Sequence, residues 1–401
     1  MIKREEYLNR IRPFIDKDVI KVLTGIRRSG KSVMLQLISE ELIEKGVKES
    51  QLMFINFETK ALDYVSDTEL LYAEIKKTAE KNKGKKTYLF LDEVQELEGW
   101  EKVVNSCMID FDVDIYITGS NAKMLSSELA TYLAGRYVEI KVYPFSFSEV
   151  VKASEEKDEK ELFNKYIQWG GMPFLYENNL DENSTRQYLE DIYSSVILKD
   201  IIQRNNVRDV DLFKRIVMYI ISNVGRVFSS TNISKFLKNE KRKASSETIY
   251  NYIDYSKSAC LFYTVPREDL IGKKLLKFQE KIYITDHGLR EVTYGNNNRD
   301  IDQILENIVY MELLRRGYEV NVGVLNKKEI DFVGKKGDEK IYIQVSYLLA
   351  SDETMEREFS SLEEIKDNYK KYVVTMDEID RSRNGIKHIN IKDFLLTKEW
   401  N

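Results

Sequence analysis

The sequence predicts an α/β protein whose first domain is a mostly parallel sheet with helices on both faces. Apolar strands alternate with amphipathic helices up to Tyr143, a glycine-rich loop with a lysine follows the first strand, and two carboxylates end a later strand. Strands and helices that alternate in this way form parallel sheets with both faces covered.

The elements of this first domain follow from hydrophobic periodicity and helix caps. Strands are predicted at residues 19–25, 52–57, 88–94 and 113–120, and helices at residues 32–46, 67–82 and 99–110. The whole chain is divided into a phosphate-binding α/β domain (1–145), a helical lid or linker (146–207), a winged helix-turn-helix domain (208–290) and a small α/β domain (291–401).

Composition excludes several classes of protein. The chain has 401 residues with 62 Lys+Arg, 67 Asp+Glu, 2 His and 2 Cys, and its formal net charge is −5. Two cysteines cannot build a disulfide framework or a Cys-rich zinc site. Because no apolar run is long enough for a signal peptide or a membrane span, a reduced, cytoplasmic protein is expected.

The segment from Gly25 to Ser32 fits the phosphate-binding pattern G-x-x-x-x-G-K-[ST]. It follows an apolar strand and opens a helix, so its backbone N–H groups and the helix N-terminus are expected to bind phosphate oxygens. Lys31 would reach the β- and γ-phosphates of ATP, and Ser32 would hold Mg²⁺. The residues expected to contact the nucleotide are Gly25, Arg28, Ser29, Gly30, Lys31, Ser32 and Val33.

Two carboxylates complete the predicted site. Asp92 and Glu93 end the apolar strand that begins near Tyr88, and the carboxyl ends of parallel strands are where ligands bind in open α/β sheets. Asp92 would hold the magnesium ion, and Glu93 would orient and polarise the attacking water. A solvated acidic pair at the start of a loop is the alternative interpretation.

Further candidates have alternatives of comparable weight. Asn121 follows the next strand and would either read the γ-phosphate or cap the following helix. Arg136 would either stabilise the γ-phosphate, within the chain or from a second copy, or form an ordinary surface ion pair. Arg27 and Arg28 would face phosphate, DNA or solvent, and the sequence does not choose among these.

Several segments together resemble a known family, the prokaryotic AAA-type P-loop ATPases that carry a C-terminal domain of unknown function. They are GIRRSGKS, LFLDEVQ, ITGSNAKML, LAGRYVEI and WGGMPF. The resemblance implies that Lys31, Ser32, Asp92 and Glu93 belong to a nucleotide site, with Asn121 as a further candidate. It implies the same for Arg136, and it does not identify a substrate.

The region 208–290 predicts the order helix, helix, longer helix and hairpin, which is typical of a winged helix. Residues 226–281 hold 12 Lys or Arg against 6 Asp or Glu, which favours contact with an anion such as DNA. The candidate DNA-binding residues are Lys241, Arg242, Lys243, Thr248, Asn251 and Tyr252. A spacer or a protein-docking role is the alternative.

The C-terminal region resembles the restriction-endonuclease-like fold in the order of its elements. Glu306 lies on the first helix, and Glu329 and Asp331 share one face of a strand. Gln344 and Ser346 stand where that fold places a second carboxylate and a lysine. A neutral amide binds Mg²⁺ weakly and a hydroxyl carries no charge, so the fold is expected with its catalysis lost. A small α/β domain with solvent-facing polar residues is the alternative.

These observations lead to three functional hypotheses. The first is a Mg²⁺-dependent ATPase that couples hydrolysis to the engagement or remodelling of DNA, active as a homo-oligomer if Arg136 acts between copies. The second is a nucleotide-gated switch on a protein or DNA partner with little turnover. The third is an active nuclease, which the residues at 344 and 346 argue against.

Overall fold

A computed structural model describes residues 2–59, 65–121, 135–272, 274–326 and 328–400, apart from the side chains of 277–279. Contacts between Cα atoms divide the chain into two compact units. One unit is Met1–Pro144 with Ser258–Cys260, and the other is Phe145–Lys257 with Leu261–Asn401. Within the described ranges, no helix is long and apolar enough to cross a membrane.

The first unit is built on a five-stranded parallel sheet with the order β2-β3-β4-β1-β5. Its strands are β1 (Ile20–Thr24), β2 (Leu52–Asn56), β3 (Thr87–Asp92), β4 (Val113–Gly119) and β5 (Tyr137–Lys141). Its helices in the described part are α1 (Glu5–Ile11), α2 (Lys31–Glu44), α3 (Thr68–Lys81) and α4 (Trp100–Asp110). The four predicted strands and three predicted helices are confirmed.

Side-chain alternation along these strands builds the sheet's two faces. On one face, Val22, Leu91 and Ile117 pack in a buried cluster with Ile75 of α3 and Val104 of α4. The other face carries a stacked row of rings, with Phe54 and Phe90 centroids 4.4 Å apart and Phe90 and Tyr116 centroids 4.9 Å apart. Burial of both faces of the central strands is the pattern that parallel sheets require.

The strand order determines which residues meet at the carboxyl edge of the sheet. Strand β4 lies between β3 and β1, so the end of β4 separates the carboxylates at the end of β3 from the loop after β1. Thr118 lies near the end of β4 and therefore has neighbours on both sides. In the register of the sheet, Thr118 is opposite Leu23 of β1, and the preceding residue, Ile117, is opposite Leu91 of β3.

The second unit joins helices to a seven-stranded mixed sheet with the order β12-β11-β10-β9-β8-β6-β7. Its helices are α5 (Phe147–Ala153), α6 (Glu159–Trp169), α7 (Phe174–Glu177), α8 (Glu182–Ser195), α9 (Val210–Ser222), α10 (Ser230–Asn239), α11 (Ser246–Ser258), α12 (His287–Thr293), α13 (Ile301–Arg315), α14 (Asp352–Glu363) and α15 (Ile391–Leu396). A π-helical segment, Val196–Gln203, follows α8. Its strands are β6 (Phe262–Asp269), β7 (Lys274–Ile284), β8 (Glu319–Leu325), β9 (Lys328–Lys336), β10 (Glu339–Val345), β11 (Lys370–Thr375) and β12 (Lys387–Asn390).

The position of the β6–β7 hairpin in the fold differs from the prediction, which assigned it to a separate winged-helix domain. The predicted order of three helices and a hairpin is observed, but β6 also pairs in parallel with β8, level at Arg267 and Val322. The hairpin is thus continuous with the sheet of the C-terminal strands. The sequence-based boundary near residue 290 does not separate two sheets, because pairing between distant strands carries no local sequence signal.

The WGGMP segment forms a buried turn against the residues that follow β7. A Cβ atom at Gly171 would lie 2.2 Å from the carbonyl oxygen of Phe145, and one at Gly288 would lie 2.0 Å from that of Trp169. The Asp286 carboxylate accepts hydrogen bonds from the N–H groups of Gly171 (2.7 Å) and Gly288 (2.9 Å). Close backbone approach therefore explains these glycines, and the segment has a structural role.

Two titratable side chains that pack against this turn, Asp286 and His287, are buried. The Nε2 atom of His287 lies 2.6 Å from the carbonyl oxygen of Tyr166, and because a carbonyl only accepts, Nε2 carries the proton. Burial lowers the pKa of His287 to about 4. Burial raises the pKa of Asp286 to about 6, although backbone N–H groups donate to it. The two shifts act in opposite directions on the pH dependence of stability.

We expect His287 to stabilise the fold mainly above pH 6.5. Its folded pKa lies below the unfolded value, so its contribution is present above about pH 6.5 and is lost as the pH falls through about 4. The stability difference between the wild type and His287→Gln should therefore be larger at pH 7 than at pH 4.5, by about 2–3 kcal/mol. Urea unfolding at the two pH values measures it, and an equal difference at both would contradict it.

Candidate nucleotide-binding site

The loop from Gly25 to Ser32 follows β1 and ends in the first turn of α2. A Cβ atom at Gly25 would lie 2.2 Å from the carbonyl oxygen of Val142, so only glycine fits there. Gly30 precedes α2 with a φ of +98°, a left-handed conformation that glycine adopts without strain. The two glycines of the predicted pattern are thus explained by close approach and by backbone conformation.

Lys31 is the first residue of α2, and its side chain reaches back to the start of this loop. Its side chain is almost fully buried, and Nζ donates hydrogen bonds to the carbonyl oxygens of Gly25 (3.2 Å) and Ile26 (3.3 Å). The same Nζ lies 3.4 Å from Glu93 Oε1. The ammonium group is therefore held inside the loop by backbone dipoles and by one carboxylate.

Asp92 receives hydrogen bonds from three elements at the carboxyl edge of the sheet. Oδ1 accepts from Ser32 Oγ (3.0 Å) and from Thr118 Oγ1 (2.5 Å), and Oδ2 accepts from Asn56 Nδ2 (3.2 Å). Burial raises the pKa of Asp92, despite the hydrogen bonds from Thr118 and Ser32. The structure brings Ser32 and Asp92 together as the sequence predicts.

Glu93 is held by its backbone and by its side chain. Its φ of +56° is unusual for a non-glycine residue, and its N–H donates to Thr118 Oγ1 over 2.9 Å. Its carboxylate lies between Lys31 and Gln95, whose Nε2 donates to Oε2. Burial acts to raise the pKa of Glu93, but the charge of Lys31 and the Gln95 hydrogen bond outweigh it, so the pKa is lowered.

Sequence reasoning missed four residues of this site. Asn56 is the last residue of β2 and Thr118 is the second-to-last residue of β4, the two strands that flank β3. Polar residues at strand ends would have been a usable signal. Gln95 follows Glu93 by two residues. Arg4 donates to the carbonyl oxygens of Ser29 (3.0 Å) and Tyr143 (2.9 Å), and the sequence gives no signal for that contact.

The other predicted loop residues have varied surroundings. Arg28 is exposed, and Arg27 forms an ion pair with Glu58 at 3.1 Å. Val33 lies half-buried in the first turn of α2. Asn121 lies half-buried three residues after Thr118, and the helix it was expected to cap falls on residues outside the described ranges.

Arg136 is not brought to the phosphate-binding loop of its own chain. It is exposed, its Nη1 donates to Asn105 Oδ1 (3.3 Å), and its carbonyl oxygen accepts from the N–H of Ile20 (2.8 Å). Ile20 begins β1, whereas the loop follows the other end of that strand, about 16 Å away at roughly 3.3 Å per residue. The role as a γ-phosphate sensor within the chain does not fit this position.

The site fits a nucleotide with a hard divalent cation. The hydroxyl of Ser32 and the carboxylate of Asp92 point to one place and offer the oxygen ligands that Mg²⁺ prefers. Lys31 and the N-terminus of α2 offer positive charge for phosphate oxygens beside them. Ser29 Oγ is buried with no hydrogen-bond partner among the described residues, which also suits a polar ligand.

The second unit brings together the residues predicted for a degenerate nuclease site, around a lysine that was not predicted. Lys281 of β7 is buried, and its Nζ lies 2.9 Å from Glu329, 3.4 Å from Glu306 and 3.5 Å from Asp331. Burial acts to lower the pKa of Lys281, but the three carboxylates raise it overall. The positive charge of this cluster thus comes from the β6–β7 hairpin.

One cavity of about 850 Å³ is lined by the residues predicted for this site, namely Glu306, Glu329, Asp331, Gln344 and Ser346. Gln344 Oε1 accepts from the N–H of Asp331 (3.0 Å), and Ser346 is buried. Burial and the nearby Asp331 raise the pKa of Glu306 to about 8. Within the described ranges, no group of three or more His, Cys, Asp or Glu side chains is arranged to hold a metal ion. In this cluster, the cation that contacts the carboxylates is the ammonium group of Lys281.

Only some of the predicted DNA-binding residues have side chains exposed for contact with DNA. Lys241, Lys243 and Asn251 are exposed. Arg242 forms an ion pair with Asp211 at 2.6 Å. Tyr252 is buried and meets the Phe213 ring edge-on at 5.3 Å, so the expectation that it reaches base edges is not met.

Thr248 lies in the first turn of α11, where its N–H donates to Ser245 Oγ (3.0 Å) in a cap. Two acidic residues of α11, Glu247 and Asp254, are exposed beside Asn251. The charge count for 226–281 also includes Lys281, which is buried among carboxylates. The exposed positive charge of this region is therefore smaller than the sequence suggests.

We expect Lys281→Met to lower the free energy of unfolding by about 3–5 kcal/mol at pH 7, because removal of one partner leaves buried carboxylates without a counter-charge. Lys274→Met, an exposed position on the same strand, should have little effect. Glu329→Gln, which removes the carboxylate 2.9 Å from Nζ, should recover part of the loss in the Lys281→Met background. Urea unfolding measures all three, and equal stabilities for the two lysine variants would contradict the assignment.

Comparison with known proteins gives the affiliation of the chain. The AAA domain family matches residues 17–151, and a domain of unknown function, DUF8612, matches residues 160–300. An uncharacterized protein of Haemophilus influenzae is 39% identical over 401 residues, covering 99% of each chain. Uncharacterized protein MJ1544 of Methanocaldococcus jannaschii is 30% identical over 407 residues, covering 98% of this chain and 89% of that protein.

Solved structures were matched at low similarity. AMPPCP-bound DnaA from Aquifex aeolicus has a TM-score of 0.32 and 14% identity, over 64% of this chain and 89% of that one. Cdc6p from Pyrobaculum aerophilum has a TM-score of 0.31 and 14% identity, over 76% and 93%. On the sequence matches, the chain belongs to the family of the two uncharacterized proteins, and it carries an AAA domain followed by a domain of unknown function.

Proposed function

We propose that the chain is a Mg²⁺-dependent ATPase that couples ATP hydrolysis to the engagement of DNA. The observation that carries the proposal is the convergence of Lys31, Ser32, Asp92 and Glu93 at one edge of the sheet. A phosphate-binding lysine, a hydroxyl and carboxylate pair, and a second carboxylate are the groups that hydrolysis of a nucleoside triphosphate requires.

Each residue has one task in this reaction. The loop N–H groups and Lys31 bind the β- and γ-phosphate oxygens and offset their charge. Ser32 and Asp92 would hold Mg²⁺, which supplies further charge neutralisation when bound. Glu93 orients a water whose oxygen attacks the γ-phosphorus, takes a proton from it, and the bond to the β–γ bridging oxygen breaks. ATP and water become ADP and phosphate.

A nucleotide-gated switch with little turnover is the second candidate. The observation in its favour is that Glu93 is engaged by Lys31 and Gln95 in this structure. A carboxylate whose ion pair with Lys31 persisted after ATP binding would not orient water. Phosphate release with and without double-stranded, single-stranded or junction DNA distinguishes the two, since the switch would bind ATP and release little phosphate under every condition.

The exposed lysines before α11 support the DNA part of the proposal. Lys241 and Lys243 are exposed on the turn between α10 and α11, where phosphate contacts of a helix-turn-helix protein commonly fall. Base reading by Tyr252 is not part of the proposal, because that side chain is buried. Any part of Arg136 in turnover requires a second copy of the chain.

We propose that the cluster around Lys281 is a structural ion-pair network and not a nuclease centre. Lys281 already contacts all three carboxylates that a cation would bind. The unfolding measurement on Lys281→Met addresses the structural role. Cleavage of plasmid with Mg²⁺ or Mn²⁺ that is lost in Asp331→Ala would contradict the absence of nuclease activity.

Two substitutions should separate ATP binding from hydrolysis. Lys31→Ala should abolish turnover because it removes the charge at the β- and γ-phosphates. Glu93→Gln should retain ATP binding and lower kcat by about 100-fold or more, because general-base assistance is lost. Phosphate release and titration with a fluorescent ATP analogue measure the two properties. Lys81→Ala, an exposed lysine of α3, is the control, and normal turnover by Lys31→Ala would remove the assignment.

Reversal of charge before α11 should weaken DNA binding. Lys241→Glu with Lys243→Glu should lower affinity for double-stranded DNA and reduce the slope of log K against log salt by about two, one for each lost phosphate contact. Fluorescence anisotropy at several salt concentrations measures both. Lys157→Glu with Lys160→Glu, exposed lysines elsewhere in the same unit, is the matched control. Equal binding by both pairs of variants would favour the spacer role.

A further inference from the structure

Gln95 contacts the carboxylate that the proposed reaction uses. It lies in the single 3₁₀ turn Val94–Glu96 directly after Glu93, and its Nε2 donates to Glu93 Oε2. Gln95 is half-buried and Glu93 is buried. This contact belongs neither to the phosphate-binding loop nor to the residues around Asp92.

The Glu93 carboxylate has two side-chain partners, one at each of its oxygens. Lys31 Nζ lies 3.4 Å from Oε1, and Gln95 binds Oε2. In the proposed function, Lys31 also binds the γ-phosphate, so a bound triphosphate competes with Glu93 for the same ammonium group. Once Lys31 turns to phosphate, Gln95 is the remaining side-chain donor to Glu93 among the described residues.

The backbone limits where this carboxylate can go. Glu93 has a φ of +56°, and its N–H is fixed by Thr118 Oγ1 at 2.9 Å. A side chain that starts from a fixed backbone and has one hydrogen-bonded oxygen retains few orientations. Retention of the Gln95 bond would keep Oε2 occupied and leave Oε1, which Lys31 has released, to meet the water.

The oxygen atom of the Gln95 side-chain amide provides a second observation. Its Oε1 is buried and has no hydrogen-bond partner among the described residues. A buried acceptor without a donor is unfavourable, so the site gains when a donor arrives. The attacking water is a donor, and after it gives one proton to Glu93 it keeps a second one.

We propose that Gln95 is a positioning residue for ATP hydrolysis, which holds the Glu93 carboxylate in place after Lys31 has exchanged that carboxylate for the γ-phosphate. The inference rests on the proposed ATPase function. It separates the roles of Glu93's two neighbours: Lys31 holds the carboxylate before the nucleotide binds, and Gln95 holds it during the reaction.

The test compares Gln95→Met, which keeps the length of the side chain and removes the donor, with Gln36→Met, an exposed glutamine of α2. Gln95→Met should lower kcat about tenfold or more, since a hydrogen bond to a charged group is lost, and leave KM and the affinity for an ATP analogue within about twofold. Gln95→Glu, which places a like charge beside Glu93, should lower kcat at least as much. Gln36→Met should keep the wild-type values.

A double-mutant cycle excludes a merely structural role. If Gln95 acts through Glu93, Gln95→Met should have no further effect on the residual rate of Glu93→Gln. An equal loss in both backgrounds, or wild-type kcat in Gln95→Met and Gln95→Glu, would overturn the inference while leaving the ATPase assignment intact. Absence of turnover in the wild-type protein would instead overturn the proposed function, and this role with it.

Discussion

The hydrogen bonds that converge on Asp92 are the constraint on which the site depends. Ser32 from the helix after the loop, Thr118 from β4 and Asn56 from β2 all donate to this one carboxylate. Each bond requires the strands to stand in the observed order, because β2 and β4 flank β3 and β1 lies beyond β4. A carboxylate with three donors has its oxygens fixed before any ligand arrives, so a metal would meet ligands that need little rearrangement.

Much of this site could be predicted because its signals are local. The glycine spacing around Lys31 and the apolar strand before Asp92 are each contained in a few consecutive residues. Strand β5 was not predicted, since Glu139 and Lys141 are exposed on this edge strand and interrupt its apolar pattern. Contacts between strands, such as Thr118 with Asp92, depend on strand order, which periodicity does not encode.

The second unit shows the same limit more clearly. The helix and strand that carry Glu306 and Asp331 were predicted from local pattern. Lys281 lies on a hairpin that was expected to belong to another domain, and it reaches the carboxylates because β6 pairs with β8. Charge balance in a buried cluster is therefore a property of the assembled sheet and not of a motif.

The pairing of Lys31 with Glu93 follows from the electrostatics of a buried ammonium group. A buried ammonium without a counter-charge is costly, and Glu93 supplies that charge at 3.4 Å. In the proposed function, a triphosphate brings more negative charge than Lys31 alone offsets, so its binding would draw Lys31 away from Glu93 and favour a further cation beside Ser32 and Asp92. One oxygen of the Glu93 carboxylate would then be available to orient water while Gln95 holds the other, so the proposed reaction links nucleotide binding to the placement of its general base.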